Sequence, residues 1–406
     1  MKKERIMTVT VLTGNKDEDR IKELKDLVES TNGEVVSEIS QSTNINPATY
    51  IGSGKLNEIR NLVKIQDIDT LVFNNELSGS QIRNIEDIVD CKVIDRTGLI
   101  LDIFAKRART RGSKLQIKLA QLEYRLPRLV GFRNYLSKEG AGIGTRGPGE
   151  QKLETDRRAI EREIHSIKEE LKNIKRARTT SQKLRKTSSI DEIALVGYSN
   201  AGKSTILNQM IKLRGSNDKK VYSDDRLFAT LDTAVRRINY DNIDLIISDT
   251  VGFVSDLPDK LKDAFSSTFE ELNLADLILL VIDVSSVDYM MQIKATKDAL
   301  KDLDIDFDKI IFVYNKMDKI KEDFFVDKNE NYIKISAKND DDIFRLLEKI
   351  VEEIYGTKII IEIFFSYKDI GKYESLKDSI EILEEKYTNE GVEARVSYRI
   401  KEVIKW

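Results

Sequence analysis

Gly197, Tyr198, Ser199, Asn200, Ala201, Gly202, Lys203 and Ser204 stand in a row, so that glycine is followed after four residues by glycine, lysine and a hydroxyl residue. Few octapeptides restrict a fold as strongly. The spacing suits a turn whose backbone N–H groups face phosphate oxygens, whose lysine neutralises β/γ charge and whose hydroxyl reaches a Mg2+ ion. Such a turn needs a buried strand before it and a helix after it. Ile193 to Val196 (IALV) supplies the strand, and Thr205 to Leu213 (TILNQMIKL) reads as a helix with its positive end at the phosphates. The pattern predicts an α/β fold of the P-loop kind that binds a nucleotide, with Thr205 beside it.

At 406 residues the chain is too long for one ordinary core, so a P-loop unit accounts for only part of it. One cysteine, Cys91, excludes an internal disulfide. One histidine, His165, excludes histidine-paired nucleophiles and zinc clusters of the usual kind, which leaves metal chemistry to oxygen ligands. Met1 to Leu12 opens with charged residues and has no signal-peptide core, and the longest apolar run, Leu277 to Ile282, is too short to span a bilayer. A soluble cytoplasmic protein is expected.

A net charge of −3 hides an asymmetry. Leu101 to Thr187 holds 23 Lys and Arg against 10 Asp and Glu, while the rest of the chain holds 44 against 60. From Lys106 to Arg133 nine basic residues face a single acid, Glu123, with Tyr124 and Phe132 interleaved. Such a segment attracts a polyanion, RNA above all; a solvated charged helix surface is the plainer alternative.

Four segments follow from pattern and composition. Residues 1–100 alternate strand-like runs (Thr8 to Leu12, Thr70 to Phe73, Lys92 to Ile94) with helical ones (Arg20 to Ser30, Lys55 to Val63), as a small α/β domain with a parallel sheet does. In residues 101–187, Leu115, Leu119, Leu122 and Leu126 recur at helical spacing, and Leu153, Ile160, Ile164, Ile167, Leu171 and Ile174 recur as a coiled-coil seam. These predict two long helices in an antiparallel hairpin, joined by an exposed Gly-rich tip at 140–149 that carries Arg146. Residues 188–356 alternate strands at Ile243 to Ile247, Leu277 to Ile282, Ile310 to Tyr314 and Tyr332 to Ile335 with helical stretches, which predicts a doubly wound sheet. Residues 357–406 read strand (Lys358 to Phe365), helix (Lys372 to Tyr387), strand (Glu393 to Ile400), a small α/β appendage.

Motifs after the P-loop narrow the ligand. Asp249, Thr250, Val251 and Gly252 follow a strand; the aspartate suits the Mg2+ shell, and the glycine N–H can sense a γ-phosphate. Asn315, Lys316, Met317 and Asp318 end another strand, and a carboxylate there accepts two hydrogen bonds from guanine N1–H and its exocyclic amine, a donor pair that adenine lacks. Ser336, Ala337 and Lys338 complete a base pocket. Guanine nucleotides, GTP and GDP, are therefore the expected ligands. Within Phe228 to Asp232 (FATLD), Thr230 is the candidate switch threonine that reaches Mg2+ and the γ-phosphate, with Thr233 ranked second. Lys203, Thr230, Asp249 and Gly252 are the candidate catalytic residues, and Ser204 and Thr230 the Mg2+ ligands.

Where many GTPases place a water-orienting glutamine after the second acidic motif, Phe253 stands here and offers no hydrogen bond. Intrinsic hydrolysis is expected to be slow. Asn200 matches the asparagine of potassium-activated GTPases, which would admit K+ near the phosphates; a role in the turn alone stays equally open.

With these residues in view the chain resembles the HflX family of GTPases. The resemblance rests on YIGSGK at Tyr50 to Lys55, DRTGLILDIFAKRARTR at Asp95 to Arg111, LAQLEYRLPRL at Leu119 to Leu129, and GIGTRGPGEQKLETDRR at Gly142 to Arg158. It implies a GTPase that binds the large ribosomal subunit, with the tip Gly142 to Gly149 inserted into ribosomal RNA, and that dissociates stalled or idle ribosomes, notably under heat stress; the free protein is expected to be a monomer. An RNA-binding assembly or anti-association switch without splitting is the alternative. Two other patterns carry no site: Gly142, Gly144 and Gly147 form GxGxxG with no strand before them, and Gly52 to Lys55 imitates half a P-loop at a turn.

Overall fold

The computed structural model describes residues 3–12, 17–31, 33–42, 45–130, 148–186, 190–214, 234–249, 252, 272–320, 324–377 and 381–399. The first sheet is wholly parallel. Its strands β1 (Arg5–Leu12), β2 (Glu34–Ser42), β3 (Thr70–Phe73) and β4 (Lys92–Asp95) lie in the order β2-β1-β3-β4. β1 reads RIMTVTVL and β3 TLVF, apolar on both faces, with Thr8, Thr10 and Thr70 confined to the face of Ile6 and Val72, because helices cover both sides of a parallel sheet. Helix α1 (Asp17–Ser30) packs Leu24, Leu27 and Val28 on the face that holds Ile6 and Val72. Helices α2 (Ser53–Ile65) and α3 (Gly79–Val89) pack Leu56, Ile59, Ile85 and Val89 on the opposite face, against Met7, Val9, Leu71 and Phe73. β2 and α3 lie outside the elements that the sequence indicated. β2 is a polar, partly exposed edge strand (EVVSEISQS), and so carries little apolar signal.

Three helices follow. α4 (Arg96–Arg107) buries Leu99, Ile100 and Phe104 against the α1 face, and α5 (Arg111–Val130) packs on α6 (Pro148–Lys186). Ion pairs Arg111–Glu170 (2.7 Å), Lys118–Glu163 and Lys168–Glu123 (2.8 Å) join the last two, with Ile117, Ala120 and Ile167 buried nearby. The helices run longer than their leucine and isoleucine spacing indicated, and α6 already includes Pro148 and Gly149 of the expected tip. The remainder of that tip, residues 140–147, lies outside the described residues.

Asp95 fixes this helical pair to the first sheet. Fully buried, it accepts from Leu77 N (3.0 Å), Gly98 N (2.8 Å), the Tyr124 hydroxyl (2.5 Å) and Arg128 Nη2 (2.8 Å). Burial and the adjacent Asp95 carboxylate push the Tyr124 phenol well above its ordinary pKa, so it remains a donor.

The second sheet has the order β10-β9-β8-β5-β7-β6, built from β5 (Asp191–Gly197), β6 (Ala234–Tyr240), β7 (Ile243–Asp249), β8 (Leu277–Asp283), β9 (Ile310–Asn315) and β10 (Tyr332–Lys334). Only β6, at the edge, runs antiparallel to its neighbour. Helices α7 (Lys203–Arg214), α8 (Tyr289–Asp302) and α9 (Asp340–Tyr355) cover it. α7 and α9 take the face with Ile193, Leu195, Leu279 and Ile311; Leu300 of α8 takes the face with Ala194, Val196, Leu280 and Phe312, in a cluster continuous with α1 and α4.

The C-terminal segment corrects an expectation. Residues 372–387 are not one helix: a short α10 (Ile370–Leu376) is followed by a strand, β12 (Glu381–Tyr387), between β11 (Lys358–Ser366) and β13 (Gly391–Arg399) in sequence. β13 is the central strand of this antiparallel sheet, ordered β11-β13-β12. EILEEKY favours helix locally, but pairing of Ile382 with Val396 and of Tyr387 with Val392 overrides that preference. The turn Thr388 to Gly391, closed by Thr388 N donating to Gly391 O at 2.8 Å, carried the missed signal. Arg399 and Lys358 tie this sheet to Asp241, at 2.8 and 2.6 Å. Among the described residues, no helix is long and apolar enough to cross a membrane.

Arg128→Ala leaves the buried Asp95 carboxylate short of its counter-charge and is expected to cost about 3–5 kcal/mol. Exposed Arg125→Ala should cost under about 0.5 kcal/mol. Urea unfolding followed by circular dichroism compares the two.

Candidate nucleotide-binding site

β5 delivers the phosphate loop to the middle of the second sheet, where strand C-termini leave a crevice. Two glycines are required by close approach. A Cβ at Gly197 (φ 151°) would meet Val281 O at 2.1 Å, and one at Gly202 (φ 101°) would meet Asn315 Nδ2 at 2.3 Å. Between them Asn200 adopts φ 64°, the left-handed conformation that asparagine tolerates. α7 starts at Lys203, so the first-turn N–H groups of Lys203, Ser204 and Thr205 lie at its positive end.

Lys203 is buried, and its Nζ donates to Gly197 O at 3.0 Å and to Tyr198 O at 2.9 Å, so the lysine is drawn back over its own loop. Burial pushes its pKa down to about 8, against the opposing pull of Asp249. Ser204 Oγ donates to Asp249 Oδ2 at 2.6 Å, joining the first motif to the end of β7. Gly252 completes that contact: a Cβ there would lie 2.8 Å from Ser199 Cα and 3.0 Å from Lys203 Nζ. The hydroxyl and carboxylate of Ser204 and Asp249 form an oxygen pair of the type Mg2+ accepts alongside phosphate and water. Among the described residues, no group of three or more His, Cys, Asp or Glu side chains gathers elsewhere to hold a metal.

The base end is built on β9 and the loop after β10. Asn315 Nδ2 donates to Ala201 O at 2.9 Å, and its Oδ1 accepts from Ala337 N at 2.9 Å. Lys316, at φ 67°, donates from Nζ to Asn200 O at 2.9 Å and to Asp283 Oδ2 at 2.7 Å. Asp318 Oδ1 accepts from Ser336 Oγ at 2.8 Å, and Lys338 Nζ lies 3.6 Å from Oδ2. The Ser336 hydrogen bond, with Lys338 behind it, holds the Asp318 carboxyl below the usual carboxylate range, so it is an acceptor at neutral pH. Lys203, Ser204, Asp249, Gly252, Asn315, Lys316, Asp318, Ser336, Ala337 and Lys338 are thus assembled along one edge of one sheet.

Thr230, its competitor Thr233, Thr250, Val251 and Phe253 lie outside the described residues. Asp283 is a residue that sequence reasoning missed. It ends β8 and tethers Lys316, and an acidic residue closing an apolar strand (LILLVID) was the available signal.

Residues 18–105 match a family model described as GTP-binding GTPase N-terminal, 107–185 its middle region, and 192–316 a 50S ribosome-binding GTPase. A GTPase HflX of Caldanaerobacter subterraneus subsp. tengcongensis is 44% identical over 98% of this chain and 92% of that protein. The chain belongs to the HflX family. The Escherichia coli K12 GTPase HflX is 38% identical over 85% of this chain and 81% of its own length. The solved SsGBP–GDP complex is 26% identical, covering 86% of this chain and 98% of that one at a TM-score of 0.50. As an HflX-family GTPase, the chain binds guanine nucleotides and hydrolyses GTP to GDP and phosphate.

The depressed lysine has a pH signature. Its ammonium, the form that pairs with phosphate, is lost above about 8 in the free HflX-family site rather than above 10.5. GDP affinity should therefore fall by about tenfold per pH unit beyond that point, a step absent in Lys203→Ala. Fluorescent-GDP titrations between neutral pH and pH ~9.5 check this.

Proposed function

We propose that the chain is a GTP-driven factor of the large ribosomal subunit that dissociates stalled or idle ribosomes in the cytoplasm under stress. The observation that carries this is a guanine-nucleotide site in the same molecule as two long packed helices from a strongly basic segment, in an HflX-family chain whose 192–316 segment matches a 50S ribosome-binding GTPase. Residues 101–187 supply the RNA-reaching part, and the Gly142 to Gly149 tip contacts ribosomal RNA, its glycines and Arg146 suiting close approach to phosphate. The remaining divisions are 1–100, 188–356 and 357–406, the first two packed together through the cluster that α1 shares with β5 and β8. The free protein is a monomer.

At the nucleotide, loop N–H groups and Lys203 bind and neutralise the phosphates, and Asp318, Ser336, Ala337 and Lys338 orient the guanine. Ser204 and Thr230 would hold Mg2+, with Asp249 beside the Ser204 hydroxyl, and the ion would neutralise charge on the phosphates. Gly252 and Thr230 read the γ-phosphate, so the triphosphate orders the RNA-binding state and hydrolysis releases it. Phe253 cannot orient a water, so stimulation comes from the ribosome. Asn200 would also admit K+ near the phosphates, and its left-handed backbone serves the turn in either case.

Two readouts test this reading together. Large subunits should raise GTP turnover by at least about tenfold, and intact ribosomes should lose light scattering with GTP and the protein. Turnover unchanged by subunits contradicts the reading. Stimulated turnover with unchanged scattering would instead establish the assembly or anti-association switch.

A further inference from the structure

The phosphate loop has a partner outside its own sheet. Tyr198, second residue of the loop, is buried, and its hydroxyl donates to Glu23 Oε1 at 2.5 Å. Glu23 lies on α1 of the first sheet. Its other oxygen accepts from Arg96 Nη2 at 2.7 Å, and Arg96 Nη1 donates to Asn74 Oδ1 at 2.9 Å. The Glu23 and Arg96 side chains are only 11% and 7% exposed. Leu24, Leu27 and Leu99 belong to the same apolar cluster as the tyrosine ring, so the carboxylate–phenol bond is shielded from water and correspondingly strong.

The main chain of Tyr198 makes that bond matter for ligand. Its carbonyl accepts from Lys203 Nζ at 2.9 Å and from Ala201 N at 3.2 Å. Residue 198 is therefore held twice, by its side chain to α1 and by its carbonyl to the phosphate-binding lysine. Arg96 in turn adjoins Asp95, the anchor of Tyr124 and Arg128 on α5. Buried polar contacts thus lead from the nucleotide loop to Arg96, and the chain itself from Arg96 to Asp95 at the base of the helical pair.

We propose that Glu23 is a positioning residue for the nucleotide site: through the Tyr198 hydroxyl it holds the phosphate loop in its binding shape, so that nucleotide affinity depends on α1 being docked there. Reciprocity follows, and bound nucleotide tightens the docking of the first sheet by the same factor. The claim rests on guanine-nucleotide binding alone and is independent of the ribosomal reading, since it is tested with the free full chain and GDP.

A double-mutant cycle decides it, with fluorescent-GDP dissociation constants as readout and circular dichroism as a check of folding. Tyr198→Phe keeps the ring, removes the bond, and should weaken GDP binding about tenfold, the scale of a hydrogen bond to a charged group. Glu23→Gln exchanges a charged acceptor for a neutral one; it should weaken binding by a smaller factor and add nothing in the Tyr198→Phe background. GDP should also raise the melting temperature of either variant less than that of the parent chain. Affinity within about twofold of the parent in Tyr198→Phe overturns the proposal, as do single losses that multiply in the double variant. If Glu23→Gln fails to fold, Tyr198→Phe, which leaves the Glu23–Arg96 pair intact, decides alone.

Discussion

One side-chain amide holds the two ends of the nucleotide site together. Asn315 donates to Ala201 O in the phosphate loop and accepts from Ala337 N in the base loop, both at 2.9 Å. These loops leave different strands, β5 and β10, and parallel pairing through β8 and β9 brings their ends to one edge. Gly202 must lack a side chain because Asn315 occupies the space where its Cβ would lie. Sheet register, glycine placement and amide geometry are thus a single requirement, and the spacing between phosphate and base groups follows from it.

The loop that results is closed by its own polar contacts. Lys203 lies inside it on two carbonyl oxygens, with its charge destabilised by burial, and Ser204 is held on Asp249. A phosphate adds a second anionic partner, beside Asp249, for a buried ammonium. The loop is also where α1 reaches the site through Glu23. A nucleotide-dependent change at the strand ends therefore has a short physical route to α4 and α5, through Arg96 and the adjacent Asp95.

Much of this was legible in the chain. The nucleotide motifs are local strings whose residue types are dictated by backbone conformation and ligand chemistry, and each strand-end motif lies where its string implied. The helices of the basic segment followed from their leucine and isoleucine spacing. The polar edge strand β2 and the strand β12 were not legible, since an edge strand needs little apolar content and EILEEKY becomes a strand only beside Gly391–Arg399. Asp283 and Glu23 escaped for a related reason: each acts through one partner distant in sequence, Lys316 or Tyr198, and no spacing within a string encodes such a pair.

The central claim is that occupancy of this site governs whether the basic helices engage the large subunit. Co-sedimentation of the full chain with isolated large subunits, in the presence of a non-hydrolysable GTP analogue, GDP or no nucleotide, tests it most directly. The account predicts binding at least about tenfold tighter with the analogue than with GDP. Equal binding in all three conditions would contradict it.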